Sequence, residues 1–492
     1  MPFTAPPPDS SWRDRVDRDA ITRELATLVG ERWVLHHPAD LLVYDADALV
    51  VEKARPDWVV LPADTVQVAD VVKLCDREGI PFVPRGAGTG LTGGCVPECG
   101  GVVLSLARMD RVLDVDAVHR TAVVQPGVVN LGLSKTTAPE RLLYAPDPAS
   151  QQTCTVGGNV ATNAGGPHCL KYGVTTNHVL GVVLVRPDGS ILKLGGRVAD
   201  APGYDLAGLV VGSEGTFGVV TEIVVRLLPV PETVRTFLAI FDDIDDASRC
   251  VSAIIAAGIL PAALEMMDRL TIHAIEPFAR VGLPLDAGAA LLVELDGPRA
   301  GMPALKERAL EIARAHGPRE IREARTEEER AQLWKARKSA FGAFGRISSG
   351  MHVMDGVVPR SRILEALRRI AGISARLGVR CANVFHAGDG NLHPNILFDA
   401  EDPAETARAI EASHEILKMC IELGGTISGE HGIGHEKRDL MPLLFTDEDL
   451  ELMDRVRRIF NPRNLCNPGK VFPSGKGCGE VKRLAAVEGA WI

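Results

Sequence analysis

The pattern of apolar and polar positions changes texture once along the chain, near residue 232. Before that point, short apolar runs alternate with Gly- and Pro-rich stretches. Asp14 to Leu28 has apolar residues at helical spacing. Asp64-Thr65 reads as the cap of a helix carrying Val68, Val71, Val72 and Cys75, which Gly79 ends. Ile80 to Val83 reads as a buried strand. Shorter strands are predicted at Val102 to Leu106, Val112 to Val115 and Ala122 to Gln125, followed by the break at Pro126-Gly127. Val179 to Leu194 predicts a hairpin around Pro187-Asp188-Gly189, and a β-rich run ends at Pro229 and Pro231. From Thr236 onward, strand-like segments (Phe237 to Phe241, Ala263 to Met267, Ala290 to Leu295) alternate with helical ones (Asp246 to Ala257, Pro303 to Ala315). This predicts an α+β domain with an antiparallel sheet and helices on one side. The expected organisation is a lead-in over 1–55, a first domain over 56–232, a second over 233–472 and a tail over 473–492. The first nine residues are expected to be disordered.

At 492 residues the chain exceeds one ordinary core. A net charge of −10 with no Lys/Arg block argues against a nucleic-acid partner, and 4% aromatics argue against a base-stacking platform. Met1 to Asp9 has neither the basic nor the apolar region of a secretory signal, and no apolar run is long enough to span a bilayer. The expected location is cytoplasmic, with membrane attachment only through partners. None of the ten cysteines forms a C-x-x-C. Cys95 and Cys99 read as reduced thiols in a loop, and no spacing suits an iron–sulfur cluster of the chain's own.

Two runs near the C-terminus carry candidate chemistry: Phe385-His-Ala-Gly-Asp-Gly-Asn-Leu-His-Pro-Asn395 and Ser428-Gly-Glu-His-Gly-Ile-Gly434. His386, His393 and Glu430 form the ligand set of an open divalent-metal site, with positions left for substrate. His431, beside the carboxylate, is the candidate base. Either run alone could be an ordinary Gly-rich turn with surface histidines.

Upstream, Gly88-Thr-Gly90-Leu-Thr-Gly93 matches the dinucleotide pattern in letters only. A Rossmann site needs a helix to begin there, and the sequence runs on toward a strand. No Gly-Lys-Ser/Thr follows, which also excludes a Walker loop. Successive backbone N–H groups in such a turn still make a nest for anionic oxygens. Three such clusters, at 84–94, 157–166 and 212–218, argue for a long, folded-over cofactor. Arg85 could add charge to the nest or sit in an ordinary surface salt bridge.

Pro84-Arg-Gly-Ala-Gly-Thr-Gly-Leu-Thr-Gly93, Gly157-Gly-Asn159, Gly212-Ser-Glu-Gly215 and Asn467-Pro-Gly-Lys470 resemble the FAD-linked oxidases of the vanillyl-alcohol oxidase/PCMH superfamily. The C-terminal runs resemble its D-2-hydroxyacid dehydrogenase branch, and the likeness, over about residues 40–472, is to the flavin subunits of bacterial glycolate oxidases. Pro146-Asp147-Pro148, His168 to Gly173 and Met351 to Pro359 also fit. The resemblance implies a PCMH-type two-subdomain FAD-binding domain followed by an α+β cap. It implies noncovalent FAD, because no histidine stands between Pro84 and Gly94 to tether it. The implied FAD contacts in the first cluster are Pro84, Arg85, Gly86, Ala87, Gly88, Thr89, Gly90, Leu91 and Thr92. Further along they are Pro146, Asp147, Cys154, Gly157, Gly158, Asn159, Thr162, Asn163, Gly165 and Gly166, then Glu214, Gly215, Gly218, Val219, Val220 and Asn467.

Oxidation of glycolate to glyoxylate is the expected reaction, with D-lactate as the rival substrate. A different class, a noncatalytic FAD electron-transfer subunit, is disfavoured because the metal and base residues are present. The metal expected is Zn²⁺, with Mn²⁺ or Fe²⁺ compatible. Arg337 matches a family position at the substrate's carboxylate; otherwise it would read as a solvated helix charge. Asn395 is a second candidate substrate or ligand-orienting residue, and His168, His352 and His435 read as structural. Relatives that oxidise D-2-hydroxyglutarate carry a lysine two residues before the aspartate matching Asp355. Here that position is Val353, which favours a short monocarboxylic acid, and Phe341 could fill the same space. The implied partners are a second flavin-type subunit and an iron–sulfur subunit passing electrons to membrane quinone.

Overall fold

The computed structural model describes residues 11–49, 51–198 and 202–473. The predicted disorder of the first nine residues, and all of the predicted tail beyond residue 473, lie outside the described residues. Two compact units are present. Among the described residues, the first holds those up to 165, 174–230 and 430–473; the second holds 166–173 and 231–429.

The first unit contains a four-stranded sheet of β1 (Val34–Leu35), β2 (Trp58–Val60), β3 (Phe82–Arg85) and β4 (Val102–Ser105), in the order β1-β2-β4-β3. β2 and β3 run parallel to β4, and the helix Thr65–Glu78 makes the crossover. Asp64 caps that helix by accepting from Gln67 N at 2.9 Å, and Gly79 ends it in the left-handed region. Val68, Val71, Val72 and Cys75 are buried against Trp58, Phe82 and Leu104. Each such side chain contributes about 1.5–3 kcal/mol when fully buried. The predicted strand at Ile80 begins two residues later, because Ile80 N still bonds back to Cys75 O beyond the helix end. The stretch from Asp14 to Leu28 divides into Trp12–Arg15 and Arg18–Val29, with Asp17 capping the second helix.

A second, antiparallel sheet contains β5 (Val112–Asp116) and β6 (Thr121–Val124). The strand β7 (Leu142–Leu143) stands apart from it. The sheet then adds β8 (Val179–Val185), β9 (Ile191–Gly195) and β10 (Val219–Arg226), in the order β5-β6-β10-β8-β9. β8 and β9 form the hairpin predicted around Gly189, and β11 (Leu228–Pro229) pairs with β7. The chain's last described stretch returns to the first sheet, where Cys466 bridges Phe82 in parallel.

The second unit is built on one antiparallel sheet. Its strands are β12 (Thr233–Phe241), β13 (Ala263–Asp268), β14 (Ala289–Gly297), β15 (Glu320–Glu323), β16 (Gly350–Val353), β17 (Gly356–Val357), β18 (Arg380–His386), β19 (Asn391–Leu392) and β20 (Pro394–Phe398). The order is β15-β12-β14-β13-β18-β19-β17, with β20 paired to β18 and β16. Consecutive residues from Thr236 to Phe241 and from Ala289 to Asp296 are buried, so both faces of the sheet are covered. The expectation of helices on one side therefore fails: an unbroken apolar strand buries two faces, where an alternating one buries one. Among the described residues no helix is long and apolar enough to cross a membrane.

Candidate active site

Apart from Gly166, the three small-residue clusters lie in the first unit, where they are bonded to one another. A Cβ on Gly86 would lie 2.5 Å from Thr155 Oγ1, an approach only glycine permits. Thr155 in turn caps the short helix Val156–Thr162, into which the second cluster folds, accepting from Gly158 N at 3.3 Å. Gly212 N and Glu214 N donate to Val160 O and Ala161 O, each at 2.8 Å. Asn467 Nδ2 joins the first and third clusters by donating to Gly94 O (2.9 Å) and Glu214 O (2.7 Å). Asn130 Nδ2 links Pro146 O and Asn159 Oδ1, both at 2.9 Å. No helix begins between Pro84 and Gly101, so the chain has no Rossmann-type phosphate turn there.

Several residues in this cradle have their side chains engaged within the protein. Arg85 is buried; its Nη1 donates to Ala46 O at 2.8 Å and its guanidinium lies over Tyr44, so it is not in a surface salt bridge. Val219 is in the core, and Asn163 Oδ1 accepts from Thr176 N at 2.9 Å. Two buried acceptors, Asp47 Oδ2 and Asn467 Oδ1, have no donor among the described residues. Asp47 Oδ2 lies 3.5 Å from where a Cβ of Gly90 would be, and burial pushes its carboxyl up to about 6. FAD carries hydroxyl and imide N–H groups able to donate to such atoms, so the cradle fits that cofactor.

The cradle also holds the loop after His431. Glu214, which is buried, accepts from Ile433 N and Gly434 N, both at 2.7 Å. Thr92 O accepts from His435 N at 2.8 Å and Glu436 N at 3.1 Å. Gly434 has φ +56°, and a Cβ there would lie 2.2 Å from Thr92 O. Thr92 and Glu214, expected as cofactor contacts, therefore spend these groups on positioning the loop. Beside them Glu98 accepts from Lys470 Nζ at 2.8 Å and lies 2.7 Å from His435 Nδ1. Burial raises the Glu98 carboxyl, but His435 and Lys470 outweigh it and hold it down at about 2. A depressed carboxyl stabilises the fold fully above about pH 4.5, and that stability is lost as pH falls toward about 2. Glu98→Gln is expected to flatten the acid limb of a Tm-against-pH curve over that window; an unaltered acid limb would count against the ion cluster.

In the second unit, His386 ends β18 and His393 precedes β20. Both are nearly buried, with 5% and 3% exposure, so neither is a surface histidine. Their rings meet edge to face with centroids 4.9 Å apart. His393 Nδ1 lies 2.9 Å from Met354 O, and a carbonyl only accepts, so Nδ1 carries the proton and Nε2 the lone pair. His386 Nδ1 lies 2.6 Å from Glu265 Oε1, which selects the same tautomer. This is the donor chemistry a divalent metal requires. Asn395 is fully buried on the strand behind, its Nδ2 donating to His393 O at 2.7 Å and Ala382 O at 3.2 Å. Ser428 Oγ and Gly429 N donate to the fully buried Asp355 at 2.6 and 3.0 Å. Glu430 follows Gly429 by one peptide bond, and Glu430 Oε1 lies 4.0 Å from His431 Nε2.

Arg337 lies on the helix Glu327–Lys338 and is 5% exposed, so it is not a solvated helix charge. Its Nε donates to Glu265 Oε2 at 2.6 Å. Arg330 and Trp334, on the same helix face, donate to Glu294, which also accepts from Thr236 Oγ1. His168 stacks on Trp334, and its Nε2 lies 3.4 Å from Glu294, in keeping with a structural role. Sequence reasoning missed Glu265, Glu294, Asp355 and Asp47. For three of them a signal existed: a lone carboxylate inside an apolar run, as in Ala263-Leu-Glu-Met-Met267, is buried only if it has partners.

Residues 56–195 match the family described as FAD binding domain, and residues 230–471 match FAD linked oxidases, C-terminal domain. The glycolate oxidase subunit GlcD of Escherichia coli (strain K12) is 47% identical over 465 residues, covering 94% of this chain and 93% of its own. This chain belongs to the FAD-linked oxidases. Within them, GlcD of Bacillus subtilis (strain 168) is 42% identical, covering 88% and 93% of the two chains. A D-lactate dehydrogenase of Anaerostipes hadrus is 34% identical, covering 85% and 90%. Among solved structures, p-cresol methylhydroxylase with substrate bound aligns with a TM-score of 0.79 at 18% identity, over 94% of this chain and 98% of that one. At that identity the likeness speaks for the PCMH-type fold alone.

Proposed function

We propose that this FAD-linked oxidase is the flavin-bearing subunit of a glycolate dehydrogenase, oxidising glycolate to glyoxylate. The observation that carries the mechanism is the pair His386 and His393, each with its Nδ1 proton engaged, which puts the lone pair on Nε2. His386, His393 and Glu430 would hold a divalent metal, with Zn²⁺ suited to the set and Mn²⁺ or Fe²⁺ compatible. When bound, FAD supplies the hydride acceptor and the metal supplies Lewis acidity toward the substrate oxygens. His431 takes the hydroxyl proton on a ring nitrogen. Arg337 has its Nε on Glu265 and turns its Nη groups to the substrate carboxylate, a charge-assisted contact. Asn395 orients His393 through the backbone carbonyl. The bonded clusters of the first unit, with Asp47 and Asn467, hold FAD noncovalently.

The preference for glycolate rests on the names of the more similar relatives and on Val353. Val353 is buried on β16 opposite Asn395 and puts an aliphatic side chain at that position. Val353→Lys is expected to leave kcat/KM for glycolate no higher than in the wild type. A clear rise in steady-state assays would sink this assignment of the pocket. Electrons would leave through a second flavin-type subunit and an iron–sulfur subunit, which also provide any membrane contact.

Anaerobic mixing of the purified yellow protein with glycolate tests the reading. Bleaching of the flavin band is the expected result. Bleaching by D-lactate but not glycolate would transfer the substrate assignment to the second relative class. No bleaching by either, with FAD and metal bound, would overturn catalysis by this chain alone.

A further inference from the structure

Glu265 touches both sides of the proposed chemistry. It lies on β13, directly opposite His386 on β18, and is fully buried. One oxygen meets His386 Nδ1 at 2.6 Å and the other accepts from Arg337 Nε at 2.6 Å. We propose that Glu265 is a positioning residue that fixes the metal-ligating tautomer of His386 and the orientation of the Arg337 guanidinium at the same time. This deepens the functional reading above and rests on it.

The argument is one of donor and acceptor parity. A carboxylate has two acceptor oxygens and no donor, so it can satisfy His386 Nδ1–H and Arg337 Nε–H together. A carboxamide cannot. With its oxygen toward His386, its NH₂ confronts the Arg337 Nε–H. With its oxygen toward Arg337, its NH₂ donates to His386 Nδ1 and moves the ring proton to Nε2, removing the ligand lone pair. The two settings are exclusive, so Gln at this position must weaken either the metal or the substrate clamp. Glu265 also supplies the negative charge beside the buried guanidinium, and the strand register fixes where that charge stands.

The test uses the full chain with FAD bound. FAD content reports folding of the first unit, metal affinity is read by competition with a chelating dye, and KM and kcat are measured for glycolate. Glu265→Gln is expected to keep FAD and to lose metal affinity about 10–100-fold, the usual effect of removing an outer-shell partner of a metal-bound histidine, or to raise KM at least about five-fold. Adding Arg337→Met to it is expected to raise KM by less than the product of the single effects, since the two residues form one contact. If the Gln variant does not accumulate, Glu265→Asp serves: it keeps the charge but is a methylene too short to hold both partners. His386→Ala separates the two claims. If His386→Ala abolishes metal binding while both Glu265 variants keep wild-type metal affinity and KM, the positioning role is wrong and the metal site stands. If His386→Ala leaves metal binding unchanged, the metal site fails and this inference fails with it.

Discussion

Replacing His431 with alanine is expected to lower the rate of flavin reduction by glycolate about 10²–10⁴-fold, the usual worth of a positioned general base. FAD content should stay near one per chain, because the loop is held by other atoms. Glu214 grips Ile433 N and Gly434 N, and Thr92 O grips His435 N and Glu436 N; none of these bonds uses the His431 ring. The substitution therefore removes a proton acceptor without releasing its support. KM should change much less than kcat, since the substrate's charge is held elsewhere. Anaerobic stopped-flow absorbance measures the step directly. A reduction rate within about two-fold of wild type would assign the proton to another group. Glu214→Gln makes the complementary case: it leaves His431 in place but weakens the charge-assisted bonds that hold its loop, so a smaller fall in the same rate is expected.

The sequence was legible where a feature is local. The cap at Asp64, the stop at Gly79 and the hairpin around Gly189 depend on residues within a few positions of one another, and all are in the structure. Also local is the failure of a helix to start at Gly88, since Cys95-Val-Pro97 and the following glycines cannot continue one. The coverage of the second unit's sheet on two faces was written in the unbroken apolar runs at β12 and β14 but was read as one-sided. What could not be read is pairing across long separations. Glu265 meets His386 over 121 residues and Arg337 over 72, and nothing in the local sequence at Glu265 names those partners. Thr92 and Glu214 show the same limit. The resemblance marked them as cofactor contacts, and nothing local showed that Thr92 O and the Glu214 carboxylate also hold a loop more than 200 residues away, as Glu214 does with Ile433.

Loss of the proposed metal is expected to have the other large effect. Lewis-acid stabilisation of several kcal/mol, taken as about 4, corresponds to about 10³-fold in rate. Dialysis against a chelator should therefore lower glycolate turnover by roughly that factor and leave the flavin spectrum in place, because the bonded glycine clusters belong to the first unit and the two histidines to the second. Added Zn²⁺ or Mn²⁺ should restore the wild type. His393→Ala should show the same deficit without restoration, since one of the three proposed ligands is gone. It also strands the Met354 carbonyl inside the protein, a cost of about 1–3 kcal/mol that a fall in Tm would register. His386→Ala likewise removes a partner, leaving Glu265 Oε1 without its donor while Arg337 stays on the other oxygen. The two variants should thus agree in metal content and turnover, and each should lower Tm through the acceptor it strands. Full turnover by the chelated enzyme, verified free of metal by elemental analysis, would remove the metal from the mechanism and leave His386 and His393 as direct hydrogen-bond partners of the substrate.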